Sequence, residues 1–176
     1  MRVLGTGIDI VEVGRLQAAA ARRERLLERI FTAGELAAAS GRGNRFTRLA
    51  ARLAAKEAVL KAFGTGLRGV RWQEAEVVSD ALGRPLIRLS GRLLALAENL
   101  GVTEIHLTMS HSREYAVASV VALGEDASRA PVSARGEDTA HHSPAAGVAD
   151  LSGRVTAAGV KAPAPGNRSQ TERENL

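Results

Sequence analysis

The chain of 176 residues contains no cysteine, so neither a disulfide nor a thiolate metal site is available to it, and a reducing compartment is permitted. Aromatic side chains are scarce: Phe31, Phe46, Phe63, Trp72 and Tyr115 are the whole set. With so few stacking platforms, and no helix-turn-helix, zinc or RNP signature, a nucleic-acid partner is not expected, although the sequence pI is near 10.6. A basic, non-enzymatic nucleic-acid-binding domain is kept as the alternative reading. No apolar run approaches the roughly 20 residues that cross a bilayer. The opening Met1-Arg2-Val3-Leu4-Gly5 also lacks the apolar core of a signal peptide. The expectation is a soluble, cytoplasmic protein with no membrane partner.

Lysine is nearly missing from the first 124 residues, where only Lys56 and Lys61 occur, and arginine carries the positive charge. That segment holds 18 of the 24 Lys and Arg but 12 of the 19 Asp and Glu, a net charge of +6. The basic excess suits a phosphate-rich ligand or an acidic protein. Residues 125–176 hold no aromatic residue and four of the five prolines, with a net charge of −1. Such a segment buries too little apolar surface to offset its ordering entropy. A domain over 1–124 and a disordered, low-complexity tail over 125–176 are expected.

Periodicity predicts a strand from Val3 to Val11, with Gly5 and Gly7 permitting close approach of other backbone, then a helix from Glu12 to Arg29. Thr32-Ala33-Gly34-Glu35 is a capping box opening a short helix through Ala39. A longer helix is predicted over Arg45 to Phe63, with Phe46, Leu49, Leu53, Leu60 and Phe63 on one stripe and Gly64 as its stop. Lys56 falls within that stripe, an odd place for a lysine unless it snorkels or reaches a bound anion. A hairpin over Glu74 to Leu89, a helix from Gly91 to Leu100 and two strands, Glu104–Met109 and Tyr115–Leu123, complete an α+β pattern.

Two carboxylates stand out. Asp9 lies in Gly7-Ile8-Asp9-Ile10-Val11, which reads as a charge near a buried strand, costly unless paired or metal-bound. Glu57 lies in Ala54-Ala55-Lys56-Glu57-Ala58, one turn before Lys61 and ahead of Gly64-Thr65-Gly66. Taken alone, Asp9 is as well explained by a helix cap, Glu57 by an i,i+4 pair with Lys61, and His111 of Met109-Ser110-His111-Ser112 by the surface. Glu12 reads as an acid at a helix N-terminus.

In this order, Gly-Ile-Asp-Ile-Val-Glu, Ala-Ala-Lys-Glu-Ala…Lys-Ala-Phe-Gly-Thr-Gly and Ser-His-Ser…Tyr-Ala resemble the holo-(acyl-carrier-protein) synthase family over roughly residues 3 to 123. These are the small class of 4′-phosphopantetheinyl transferases. The resemblance implies an antiparallel sheet packed on a long central helix. It also implies transfer of 4′-phosphopantetheine from coenzyme A to a serine of apo-acyl carrier protein, in support of fatty acid biosynthesis. Mg²⁺ would be held by Asp9 and Glu57, with Glu57, Lys61 and His111 as catalytic residues. Lys61, Gly64, Gly66, His111 and Arg52 would contact coenzyme A, Arg52 or Arg45 at its 3′-phosphate. The base that takes the serine proton is left open among a metal-bound water, Glu57 and Lys61. Arg15, Arg22, Arg25 and Arg29 would dock the acidic carrier protein, and the enzyme would be a homotrimer with sites between subunits.

Overall fold

The structure is a computed structural model that describes residues 1–41 and 43–125. The expected tail at 126–176, and Arg42 of the glycine-rich loop, lie outside the described residues. Strand β1 (Arg2–Glu12) runs directly into α1 (Val13–Arg22), followed by α2 (Leu26–Ile30), α3 (Ala33–Ala39) and the long α4 (Arg45–Ala62). The hairpin β2 (Ala75–Ser79) and β3 (Pro85–Leu89), helix α5 (Gly91–Asn99) and the strands β4 (Val102–His111) and β5 (Tyr115–Gly124) complete the α+β fold. The strands form two antiparallel sheets, β1-β5-β4 and β2-β3. Helix α4 packs against β1, β5 and β2. Among the described residues no helix is long and apolar enough to cross a membrane.

How α4 meets β1 sets up everything that follows. The Asn44 side chain caps the helix by accepting from the Phe46 N–H at 2.9 Å. Its end is a Schellman motif: the Gly64 N–H donates to the Lys61 carbonyl, the Thr65 N–H to that of Leu60, and Gly64 has φ +66°. Five of the helix's ten buried residues are alanines, Ala50, Ala51, Ala54, Ala55 and Ala58, small enough to let the sheet come close. A Cβ on Gly5 would lie 2.0 Å from the Ala62 carbonyl oxygen, and one on Gly7 would lie 1.9 Å from that of Ala58. Strand and helix therefore touch backbone to backbone, which only glycine allows.

Three expectations change in the structure. The first concerns β1, which is not buried on both sides: Ile8 and Ile10 are 63% and 64% exposed, while Gly7, Asp9 and Val11 face α4. Alternation, not general burial, encloses Asp9. The second is the helix expected over Glu12–Arg29, which breaks at Arg23, where φ is −139°. A continuous helix would carry Arg23 onto the stripe of Leu16, Leu27 and Ile30, and the break lets it reach solvent instead. The third is Lys56, which is held neither by snorkelling nor by a bound anion but by a carboxylate of the chain itself. It is fully buried, its Nζ 2.8 Å from Glu35 Oε2 and donating to the carbonyls of Trp72 and Ala75. Glu35 meanwhile completes the expected capping box with Thr32, and its Oε1 accepts from the Val77 N–H at 3.0 Å.

Candidate active site

The glycine contacts run along β1 from Gly5 against Ala62 to Gly7 against Ala58, so the next inward residue, Asp9, arrives beside the turn of α4 that carries Glu57 and Lys61. Lys61 Nζ sits 2.7 Å from Asp9 Oδ1 and 3.0 Å from the Ile8 carbonyl oxygen. The Asp9 side chain is 9% exposed and its second oxygen, Oδ2, is buried without a donor. Glu57, half-buried, lies within hydrogen-bonding reach of Asp9. Burial first, and then the Asp9 carboxylate, push the Glu57 carboxyl above its ordinary range, while Lys61 and Arg15 pull it down. The hydrogen bond to Asp9 raises the Lys61 ammonium.

Two carboxylates facing each other, one with a buried oxygen lacking any donor, form a locus that favours a cation. Among the described residues no cluster of three or more His, Cys, Asp or Glu could hold a metal. The donor set is thus two hard oxygen ligands, which fits Mg²⁺, an ion that keeps several waters and shares substrate phosphates.

Glu57 lines two clefts of about 340 Å³ each. In one, Lys61, Gly64, Gly66, Leu60, Leu67 and Trp72 surround it. In the other it faces Arg15, Glu12, Leu16 and Leu53. Glu12, expected at a helix N-terminus, is indeed the N-cap residue of α1, though its side chain makes no cap hydrogen bond. A larger cleft of about 620 Å³ adjoins both and is edged by Arg23, Arg29 and Arg71.

Asp9, Glu57, Lys61, Gly64 and Gly66 are brought together, then, and Arg15 joins them from α1. His111 and Arg52 are not. His111 ends β4, opposite Ala116 of β5, with that strand between it and β1, and it lines neither cleft that holds Glu57. Arg52 donates from Nη1 to the Arg48 carbonyl of its own helix at 3.2 Å, and burial lowers its pKa while the charge of Glu35 raises it; its buried Nε has no acceptor. Arg22, Arg25 and Arg29 are exposed, but the break at Arg23 divides them between α1 and α2. Sequence reasoning missed Trp72, Leu67 and Leu60 as cleft walls. Trp72 is the chain's single tryptophan, and that was the one available signal.

A sequence model of the 4′-phosphopantetheinyl transferase superfamily matches residues 5–120. A holo-[acyl-carrier-protein] synthase of Koribacter versatilis (strain Ellin345) is 46% identical over 121 residues, 68% of this chain and 97% of its own length. The chain belongs to the holo-(acyl-carrier-protein) synthases. The crystal structure of the synthase from Neisseria meningitidis superposes with a TM-score of 0.65 at 35% identity, covering 69% of this chain and 99% of that one. The synthase of Bacillus anthracis str. Ames, solved in complex with coenzyme A (3′,5′-ADP), gives a TM-score of 0.58 at 35% identity, covering 70% and 98%. The family's reaction, phosphopantetheinyl transfer, is this chain's class of activity. Residues 125–176 lie beyond the stretch matched by the family.

Proposed function

We propose that the chain transfers 4′-phosphopantetheine from coenzyme A to a serine of apo-acyl carrier protein, with Mg²⁺ held by Asp9 and Glu57, and so supplies fatty acid biosynthesis in the cytoplasm. The observation that carries this reading is the Asp9–Glu57 pair, closed from one side by Lys61 and left with an unpartnered buried oxygen. In the transfer the serine oxygen bonds to the phosphorus that carries pantetheine. The bond from that phosphorus to the bridging oxygen breaks, and 3′,5′-ADP leaves. Phosphoryl transfer asks for positioning and charge neutralisation more than covalent help. The ion, when bound, supplies neutralisation of the diphosphate. Lys61, tethered to Asp9 and the Ile8 carbonyl, holds a fixed positive charge at the mouth of the cleft for the same diphosphate. Because that contact keeps it protonated, Lys61 is a poor acceptor for the serine proton. Intact-mass analysis of apo-carrier protein after incubation with the enzyme, coenzyme A and Mg²⁺ tests the function; no gain of one phosphopantetheine would refute it.

The open face of the β1-β5-β4 sheet supports assembly as a homotrimer with sites between subunits. Val3, Ile8 and Ile10 stand 55%, 63% and 64% exposed there, beside the outward-facing Val117 and Val121 of β5. An apolar sheet face of this kind marks an interaction surface. A neighbouring copy would also bring His111 to a site that its own chain does not let it reach. Arg52, with an unpaired buried Nε, is proposed to take the 3′-phosphate. Ile8→Glu combined with Ile10→Glu should yield monomers by light scattering and inactivate the enzyme. A wild-type protein that runs as a monomer would count against the assembly.

Docking of the acidic carrier protein is proposed for Arg15, Arg22, Arg25 and Arg29. Arg25→Glu should raise the carrier KM about fivefold and leave the coenzyme A KM unchanged, because a rim charge steers encounter. Arg15 differs, since its charge acts on Glu57 within one cleft, and Arg15→Glu should lower kcat as well. Lys61→Ala should lower kcat about a hundredfold with the carrier KM little changed. Steady-state kinetics varied in each substrate separate the three.

A further inference from the structure

Lys56 is the one fully buried lysine among the described residues, and the chemistry above does not use it. Burying an ammonium is costly, and it persists here only because every donor has a target: Glu35 Oε2 at 2.8 Å, the Trp72 carbonyl at 3.0 Å and the Ala75 carbonyl. Its position in the chain gives these bonds their meaning. Lys56 precedes Glu57 on α4, and Trp72 belongs to the segment whose side chain walls the cleft opposite Glu57 and Lys61. The Phe31 ring lies 5.9 Å from the same ammonium, closing the remaining side.

We propose that Lys56 is a positioning residue for coenzyme A: it clamps the helix turn bearing Glu57 to the Trp72 backbone and thereby sets the width of the donor cleft. The proposal rests on the reading above that the donor lies between Lys61 and Trp72. It assigns Lys56 no contact with substrate. Its effect passes through Trp72, and Glu35 serves as the counter-charge that makes the clamp tolerable inside the protein.

The test uses the double variant Lys56→Met with Glu35→Gln, which removes both charges together and avoids leaving a buried carboxylate unpaired. It should fold, and its KM for coenzyme A should rise about tenfold while the carrier KM stays within about twofold. Trp72, the only tryptophan, reports the cleft directly. Its emission should shift in the double variant, and coenzyme A should quench it less than in the wild type. A folded double variant with unchanged coenzyme A KM and quenching would overturn the proposal and leave Lys56 a part of the core alone. Should that variant not fold, Lys56→Arg decides. It keeps the charge opposite Glu35, but its larger planar head displaces the Trp72 carbonyl, so the coenzyme A KM should rise; an unchanged value overturns the clamp. If the wild type itself neither binds coenzyme A nor transfers phosphopantetheine, the functional reading fails and the clamp falls with it. Normal wild-type transfer with indifferent variants removes only the clamp.

Discussion

Asp9→Ala and Glu57→Ala should each cut phosphopantetheine transfer about a thousandfold or more, the scale expected when roughly 4 kcal/mol of charge stabilisation is lost from a phosphoryl-transfer site. Neither change should unfold the protein, because Glu57 is only half-buried and the inward side of β1 is held by Gly5 and Gly7. Wild-type rates in either variant at low Mg²⁺ would refute a two-carboxylate site. Glu57→Gln carries a sharper signature. Burial and the neighbouring Asp9 hold the Glu57 carboxyl above its ordinary value, so the folded chain retains a proton that the unfolded chain has already released. In the window between the ordinary carboxylate range and the raised value, the metal-free protein therefore loses stability as pH rises, and it regains it as pH falls. Removing the charge should stabilise the metal-free protein at neutral pH by about 1 kcal/mol, the scale of one like-charge contact in a solvated setting. The melting temperature should rise about 4 °C, even as activity disappears. Added Mg²⁺ should stabilise the wild type and not the variant, and its apparent affinity should weaken as pH falls through the raised Glu57 value.

Gly7→Ala should be among the most damaging single-methyl changes in the fold. The added Cβ would stand 1.9 Å from the Ala58 carbonyl oxygen, an atom of the helix backbone that cannot rotate away. Relief requires α4 to move off β1, an overpacking cost of about 3 kcal/mol. A melting temperature lower by about 12 °C or more is expected. Function should suffer beyond stability, because the same displacement draws Glu57 and Lys61 away from Asp9. Transfer per folded molecule, measured well below the lowered melting temperature, should fall along with Mg²⁺ stabilisation. Gly14→Ala is the control. A Cβ there meets only a Glu12 oxygen at 3.7 Å, on an exposed face of α1, so activity should persist with a slight gain in stability. Equal tolerance of both changes would mean that the close approach of strand and helix is not what assembles the site.

Much of this was legible in the chain. The capping box at Thr32 and Glu35, the Arg45 start and Gly64 stop of α4, and the strands around the Ser112 turn are local signals, written in residues within a few positions of one another. The three motifs carrying Asp9, Glu57 and His111 were equally legible, because side-chain identity and order are properties of sequence. Which of these residues meet is not. Asp9 and Lys61 are 52 positions apart, and their 2.7 Å contact exists because two glycines let a strand lie on an alanine face of a helix. Periodicity placed Lys56 on a buried stripe but could not supply its partners, since Glu35 and the Trp72–Ala75 segment come from two other parts of the chain. The isoleucines beside Asp9 read as core when taken locally; only the one-sided packing of the sheet leaves Ile8 and Ile10 facing outward. His111 shows the same division, for its motif is plain in the sequence while strand order alone puts β5 between it and Asp9. Sequence by itself determined the elements, their caps and the set of chemical groups. Tertiary structure decided their company, because burial and the approach of one backbone to another depend on contacts between segments far apart in the chain.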